Sequence, residues 1–171
     1  MAYLDEHMET ISPAELDELQ YRLLKSQVTR LYSSSPFYHA RMREAKVLPD
    51  DIRSLDDIVK LPFVHKQDLR DNYPEGMLSV PRREVVRFHA SSGTTGKPTV
   101  VSYTKKDIDT WTESLARGLI SVGLGADDVI QVSNTYGLFS GGLGFHYAGE
   151  RIGAAVVPAS TGNTERQIEL I

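Results

Sequence analysis

The loop at residues 91–97 combines the residue types that best suit an anionic ligand. It holds glycines, hydroxyl side chains and one cation: Ser91, Ser92, Gly93, Thr94, Thr95, Gly96 and Lys97. Glycines let backbone N–H groups approach a ligand closely, and consecutive N–H groups form a concave anion site. The hydroxyl groups add donors, and the lysine adds a positive charge. The composition therefore indicates a grip on phosphate, although a flexible hairpin loop has the same residue types.

Two familiar phosphate-binding patterns do not fit this loop. A Walker loop needs a longer spacer before its Gly-Lys pair than the two residues that Gly93 and Gly96 enclose. The dinucleotide-binding fingerprint opens a helix, whereas Pro98 and a β-branched run follow here. The loop is thus predicted to bind phosphate between two strands.

A second candidate site follows the apolar run at residues 129–132. Glycines are interspersed there with aromatic residues: Tyr136, Phe139, Gly141, Gly142 and Phe145. Glycines beside aromatic rings leave room for a flat ligand, and a ring can stack on its face. The alternative is that these rings pack the junction of a strand and a helix, since most aromatic residues lie in cores.

Lys66 stands at the start of a predicted short helix, where a solvated surface lysine is the ordinary interpretation.

The five histidines share no metal-ligand spacing and the chain has no cysteine, so that the sequence predicts neither a metal site nor a disulfide. Adjacent aspartates, such as Asp56 and Asp57, are typical of caps and turns rather than of a paired-carboxylate active site. No residue is assigned a catalytic role.

The elements that must position these residues begin with helices over the first eighty residues. Ser12, Pro13 and Glu15 have the spacing of a capping box, and Ser54 begins a later helix in the same way. After Pro81, β-branched and aromatic runs on both sides of the loop favour strands. Thr104 then caps a helix with one apolar face, made of Ile108, Trp111, Leu115, Leu119 and Val122.

A strand–helix–strand order follows, in which DVIQVS and AAVVP are predicted as buried strands. This order implies a parallel sheet. We therefore predict an α/β fold, with a helical segment over residues 1–80 and a partial α/β subdomain over residues 81–171. A last helix starting at Asn163 or Thr164 should run to the end of the sequence. The few strands and this ending favour the N-terminal part of a longer chain over a complete small domain.

The composition excludes several classes of protein. Hydrophobic residues make up 40% of the chain and charged residues 25%, as in a soluble globular protein. A net charge of -4 without a Lys/Arg run argues against a general nucleic-acid binder. No apolar run reaches membrane-spanning length, and the N-terminus lacks the apolar region of a signal peptide. The predicted location is the cytoplasm, which the lack of cysteine fits.

The loop resembles the phosphate-binding signature of the adenylate-forming superfamily, which includes acyl-CoA synthetases, luciferases and the adenylation domains of peptide synthetases. From about Leu61 onward, the chain resembles more closely the N-terminal part of the phenylacetate–coenzyme A ligase family. The stretches that carry this resemblance are LPFVHKQDLRDNYPEGML, VVRFHASSGTTGKPTVVSYT, NTYGLFSGGLGFHYAGERIGAAVVP and TGNTERQIELI. Most of the superfamily has a lysine after the proline of the loop, whereas Lys97 precedes Pro98; the phenylacetate ligase branch tolerates this order.

The resemblance implies an ATP-dependent acid–CoA ligase that forms an acyl-adenylate, with phenylacetate as the expected acid. It implies ATP, Mg²⁺ and coenzyme A as cofactors, with the loop and Lys66 at the ATP phosphates. It also implies that the segment from Tyr136 to Phe145 lines the aryl-acid pocket. The family's adenine, ribose and Mg²⁺ motifs and its C-terminal-domain lysine lie downstream of Ile171. This segment, which lacks the rest of the large domain and the C-terminal domain, is therefore expected to be inactive alone.

Two alternatives stay open at this point. A sibling adenylating enzyme for another aryl or heteroaryl acid would share every motif quoted. A nucleotide-binding module without catalysis would suit a complete protein of this length. The expected partners are small molecules, not nucleic acid or membrane, and a homodimer is one option for the assembly.

Overall fold

The computed structural model describes residues 3–91 and 98–170. These residues form two compact units. The first unit contains residues 10–86 and 98–102, and the second unit contains residues 3–9, 87–91 and 103–170. The division at residue 80 that the sequence suggests stays a prediction.

The helices and strands follow the predicted order. The α-helices of the described residues are α1 (Glu6–Glu9), α2 (Pro13–Ser34), α3 (Pro36–Glu44), α4 (Lys66–Asp71), α5 (Lys105–Ser121), α6 (Ser140–Arg151) and α7 (Thr164–Glu169). The strands are β1 (Val85–Ala90), β2 (Val100–Thr104), β3 (Val129–Gln131) and β4 (Ala155–Val157). Short 3-10 helices lie at Pro49–Asp51, Leu55–Lys60 and Arg82–Glu84.

Helix α2 of the first unit begins with the predicted capping box. The Glu15 N–H donates to the Ser12 hydroxyl at 3.3 Å, and the Glu15 carboxylate accepts from the Ser12 N–H at 3.2 Å. These bonds satisfy N–H groups that a helix start leaves unpaired, which explains why α2 begins at Pro13.

Four buried side chains form the core of this unit: Val28, Met42, Val47 and Ile52. Leu24, Tyr32 and Leu61 pack against them. Leu24, Val28 and Tyr32 recur at a spacing of one helical turn, so that they share one face of α2. Burial of each large apolar side chain contributes roughly 1.5–3 kcal/mol to folding.

The second unit contains the predicted strand–helix–strand motif. Strand β3 pairs in parallel with β4, in a register that runs from Val129 opposite Ala155 to Gln131 opposite Val157. Helix α6 lies close to these strands because Gly149 has no side chain: a Cβ there would stand 2.7 Å from Val156 Cγ2. Helix α5 packs on α6 around a second core cluster, made of Ala116, Leu119 and Ala148.

Strands β1 and β2 form a separate, antiparallel two-stranded sheet. The α/β fold, the antiparallel pair and the parallel β3–β4 pair are thus confirmed. None of the helices in residues 3–91 and 98–170 is both long enough and apolar enough to cross a membrane.

Three expectations about individual residues are wrong. Val122 is 75% exposed, because α5 ends at Ser121 and Val122 occupies the C-cap position. Val129 is 67% exposed, because Ile130 packs against the core beside α6, and Val129, the adjacent residue of the strand, points to the opposite face of the sheet. Helix α7 ends at Glu169 and Leu170 forms its C-cap, so that the helix does not run to the last residue.

Candidate functional site

Of the predicted phosphate-binding loop, the structure describes Ser91 alone. The other members lie outside the described residues: Ser92, Gly93, Thr94, Thr95, Gly96 and Lys97. Strand β1 ends at Ala90 and β2 begins at Val100, so that the loop connects two paired strands as the sequence indicates. Its role in holding phosphate stays a prediction.

The backbone that leads into this loop is bonded to the segment before α6. The Ala90 N–H donates to the Leu138 carbonyl oxygen at 3.0 Å, and Nδ1 of His89 lies 2.9 Å from the same oxygen. One carbonyl group thus joins the end of β1 to the segment that carries Tyr136 and Phe139. The strand that enters the predicted phosphate loop and the predicted acid-binding segment are therefore neighbours within the second unit.

Tyr136 belongs to a chain of three polar side chains. Its hydroxyl lies 3.2 Å from Nδ1 of His146, whose Nε2 lies 3.2 Å from a carboxylate oxygen of Glu150. Because a carboxylate can only accept, Nε2 of His146 donates to Glu150. When the imidazole is neutral, its Nδ1 then accepts from the tyrosine hydroxyl. Burial, assisted by the charge of Glu150, raises the pKa of Tyr136 above its ordinary value. The phenol therefore keeps its proton at neutral pH, and the chain fixes the direction of the ring.

The two glycines at the start of α6 have different surroundings. A Cβ on Gly142 would stand 2.6 Å from the Thr135 carbonyl oxygen, so that close packing requires this glycine. A Cβ on Gly141 would find its nearest neighbour 3.8 Å away, on Asn134, which is ordinary contact. Gly142 thus lets α6 begin against the preceding segment, whereas Gly141 leaves open space.

Phe139 and Phe145 are 54% and 38% exposed, so that their rings are accessible to a ligand. Tyr136 is half-buried, and its ring meets the His146 ring edge to face, with centroids 5.7 Å apart. These three aromatic residues lie within ten positions of one another along the chain. Their part in binding an acid stays a prediction.

Lys66 is the first residue of α4, in the first unit, and its side chain is exposed. The helix begins there because Asp68 accepts from the His65 N–H at 2.7 Å. That bond, more than the nearby Arg41 guanidinium at 2.6 Å, lowers the pKa of Asp68. The position of Lys66 agrees with the predicted short helix, and its contact with phosphate stays a prediction.

Two residues of β1, His89 and Arg87, make contacts in this region that the residue composition did not predict. His89 is 5% exposed, and its ring meets those of Tyr103 and Trp111 edge to face, with centroids 5.4 Å and 5.7 Å away. The Arg87 guanidinium donates to the Tyr147 hydroxyl at 3.0 Å and lies 5.0 Å from the centre of its ring. Their spacing in the sequence could have indicated that they act together, because residues two apart on a strand lie on the same face.

A cleft of about 350 Å³ lies beside the end of β4. Its walls include Pro158, Thr161, Asn163, Arg166 and Gln167. Open α/β sheets bind ligands outside the carboxyl ends of their strands, which is the edge where this cleft lies. The cleft and the segment after β3 therefore belong to the same edge of the parallel sheet.

The chain has close relatives among curated proteins, although no protein-family model matches it. A phenylacetate–coenzyme A ligase of Aromatoleum evansii is 52% identical over 166 residues, which are 97% of this chain and 38% of that protein. The enzyme of the same name from Escherichia coli (strain K12) is 52% identical over 96% of this chain and 38% of its own. The one from Thermus thermophilus is 48% identical over 96% of this chain and 37% of its own.

Solved structures agree with these relatives. A 2-hydroxyisobutyryl-CoA ligase in complex with 2-HIB-AMP and CoA, in the thioesterification state, matches with a TM-score of 0.89 at 28% identity. The match covers 98% of this chain and 36% of that one. The same ligase in the postadenylation state, with 2-HIB-AMP, matches with a TM-score of 0.87 at 26% identity, over 98% of this chain and 36% of that one. Over 96–97% of its own length, the chain is thus 48–52% identical to phenylacetate–coenzyme A ligases, and it spans 37–38% of their length.

Proposed function

We propose that the full-length protein that carries this segment is an ATP-dependent ligase that converts phenylacetate to phenylacetyl-CoA. The observation that carries the proposal is the 52% identity to phenylacetate–coenzyme A ligases over nearly the whole of this chain. The structural match to a ligase with an acyl-AMP and CoA bound supports the same class of reaction. The proposal places the enzyme in the cytoplasm, where ATP and CoA are supplied.

The proposed reaction has two steps. In the first, a carboxylate oxygen of phenylacetate attacks the α-phosphorus of ATP, and the bond to the β-phosphate oxygen breaks to release pyrophosphate. In the second, the thiolate of CoA attacks the acyl carbon of the adenylate, and AMP leaves. The first step brings an anion to a polyanion, so that positive charge and N–H donors at the phosphates lower its barrier.

In this proposal, the glycine-rich loop provides that environment. Its backbone N–H groups and hydroxyls would hold the phosphates, and Lys97 would offset their charge, with Lys66 as a second cation. Mg²⁺ would arrive with the nucleotide, since Mg²⁺ in such sites is bound largely through substrate phosphates. The described residues contain no cluster of three His, Cys, Asp or Glu side chains that could hold a metal ion.

The segment after β3 would bind the acid. Tyr136, whose hydroxyl is hydrogen-bonded to Nδ1 of His146, presents a ring of fixed direction. The exposed rings of Phe139 and Phe145 and the open space at Gly141 would accept a flat aromatic group, while Gly142 lets the backbone approach. Binding at this edge of the sheet agrees with the position of ligands in other open α/β folds.

The test is thioester formation by the full-length protein. It is incubated with ATP, Mg²⁺, CoA and phenylacetate, and the products are identified by mass spectrometry. Phenylacetyl-CoA and AMP in equal amounts are expected, and the 171-residue segment alone should form neither. Product from another aryl acid, with none from phenylacetate, would indicate a sibling ligase. ATP binding without product from any acid would indicate a nucleotide-binding module and contradict the proposal.

A further inference from the structure

His89 connects two parts of the candidate site that lie far apart in the sequence. His89 is the penultimate residue of β1, and Ser91, the first residue of the predicted phosphate loop, follows two positions later. Its Nδ1 lies 2.9 Å from the carbonyl oxygen of Leu138, in the segment that carries Tyr136 and Phe139. We propose that His89 is a positioning residue, which holds the acid-binding segment to the strand that enters the phosphate loop. This inference rests on the proposed function.

The hydrogen bond determines the protonation of the ring. A backbone carbonyl can only accept, so that Nδ1 of His89 carries the proton. Nε2 is buried and has no hydrogen-bond partner in the described part of the chain. Because Nδ1 already carries a proton, a second proton on Nε2 would bury a charged imidazolium with an unpaired N–H, which is strongly destabilising. Both observations favour the neutral Nδ1–H tautomer.

Aromatic neighbours hold the ring in this orientation. The rings of Tyr103 and Trp111 meet the imidazole at interplanar angles of 84° and 72°, and are stacked on each other with centroids 6.2 Å apart. With the side chain 5% exposed, rotation of the ring would require these neighbours to move. The donor to Leu138 is therefore rigid rather than one of several conformations.

The Leu138 carbonyl also accepts from the Ala90 N–H, so that β1 and the segment before α6 share two hydrogen bonds at one oxygen. In the proposed reaction, the acid bound by this segment must meet the nucleotide bound by the loop. Misplacement of reacting groups by about 1 Å can lower a rate by roughly 100-fold. Removing the His89 donor leaves the Ala90 bond in place, and we expect a decrease of about tenfold in the rate of adenylate formation.

Substitutions at His89 separate this role from simple core packing. The amide nitrogen of His89→Asn stands near the position of Nδ1 and can donate to Leu138, whereas the amide of His89→Gln stands near Nε2. His89→Phe fills the volume without a donor. In full-length protein, ATP–pyrophosphate exchange with phenylacetate should stay within about threefold of wild type for Asn. In the Gln and Phe variants, the rate of exchange should fall by about tenfold, and the preference for phenylacetate over acetate should fall by about the same factor.

A measurement on the unchanged protein does not depend on activity. The ¹⁵N spectrum of histidine-labelled full-length protein at neutral pH should show His89 as the Nδ1–H tautomer. The resonance is assigned from its absence in the His89→Asn variant, and thermal unfolding of each variant checks that it is folded.

The outcomes are distinct. The Nδ1–H tautomer with rescue by Asn supports the positioning role. An Nε2–H tautomer, or equal activity of the Asn and Gln variants, would overturn it and leave His89 as a core residue. If the unchanged protein shows the Nδ1–H tautomer but no exchange with any acid, the proposed function is wrong; the positioning role falls with it, and only the hydrogen bond remains.

Discussion

Gly144 of α6 lies against the indole of Trp111 of α5, where a Cβ would stand 2.6 Å from Cζ2 of the ring. Leu115 Cδ1 would be equally close. Gly144→Ala should therefore lower the free energy of unfolding by about 1–3 kcal/mol, because one methyl group overpacks this contact. Urea unfolding of both proteins, followed by circular dichroism, measures the difference.

Gly118→Ala is the matched control. A Cβ on Gly118, on the exposed side of α5, meets no atom within 4 Å. Alanine in an exposed helix interior should raise the stability by about 0.8–1 kcal/mol relative to glycine. Equal effects of the two substitutions would mean that α5 and α6 are not packed as described.

Asp57 should titrate at unusually low pH. The Lys60 ammonium, 2.7 Å away, and the N–H groups of Arg53 and Ser54 stabilise its carboxylate and hold its pKa at about 2. Since this pKa lies below the unfolded value of 3.8, the stabilisation is complete above about pH 4 and is lost as the pH falls to about 2.

The direct measurement is a ¹³C NMR titration of the Asp57 carboxyl group. Lys60→Met removes the main cause, so that the pKa of Asp57 should rise toward its ordinary value. The stability difference between wild type and Asp57→Asn should shrink between about pH 4 and pH 2. A wild-type carboxyl that titrates at the ordinary value would refute the described contacts.

Tyr136→Ala should weaken binding of the acid more than binding of ATP. Loss of a stacked ring should raise the KM for phenylacetate by about two- to twelvefold from stacking alone. Steady-state kinetics of the full-length protein give both KM values. Tyr3→Ala, at an exposed tyrosine outside the candidate site, is the control. If the Tyr136 variant keeps the wild-type preference for phenylacetate over acetate, the residue does not select the acid.

Lys97→Ala should slow the adenylation step. Loss of one charge-assisted contact to phosphate should weaken transition-state binding by about 1.5–3 kcal/mol, or about 10- to 150-fold in rate. Rapid-quench measurement of adenylate formation checks this, and Lys106→Ala, at an exposed lysine of α5, controls for loss of a surface charge. An unchanged rate would make Lys97 an ordinary surface lysine.

Local patterns predicted most of the elements, because caps and periodicity act within a few residues. The capping box at Ser12 and the strands around the glycine-rich loop are examples. The patterns failed where tertiary packing or a helix end decides exposure, as at Val122 and Val129. For the candidate site, the spacing of glycines and aromatics indicated Tyr136. The bond from His89 to Leu138 joins residues 49 positions apart, and no local pattern reports such a contact.

The central claim is that the full-length protein activates an aryl acid as its adenylate, and ATP–pyrophosphate exchange without CoA tests it most directly. Exchange requires the adenylate to form reversibly, and it isolates the first step from thioester formation. Labelled pyrophosphate should enter ATP when phenylacetate is present, and only at background rate with acetate or without acid. The account would be contradicted by exchange that does not depend on any added aryl acid. It would also be contradicted if folded protein that binds ATP showed no exchange.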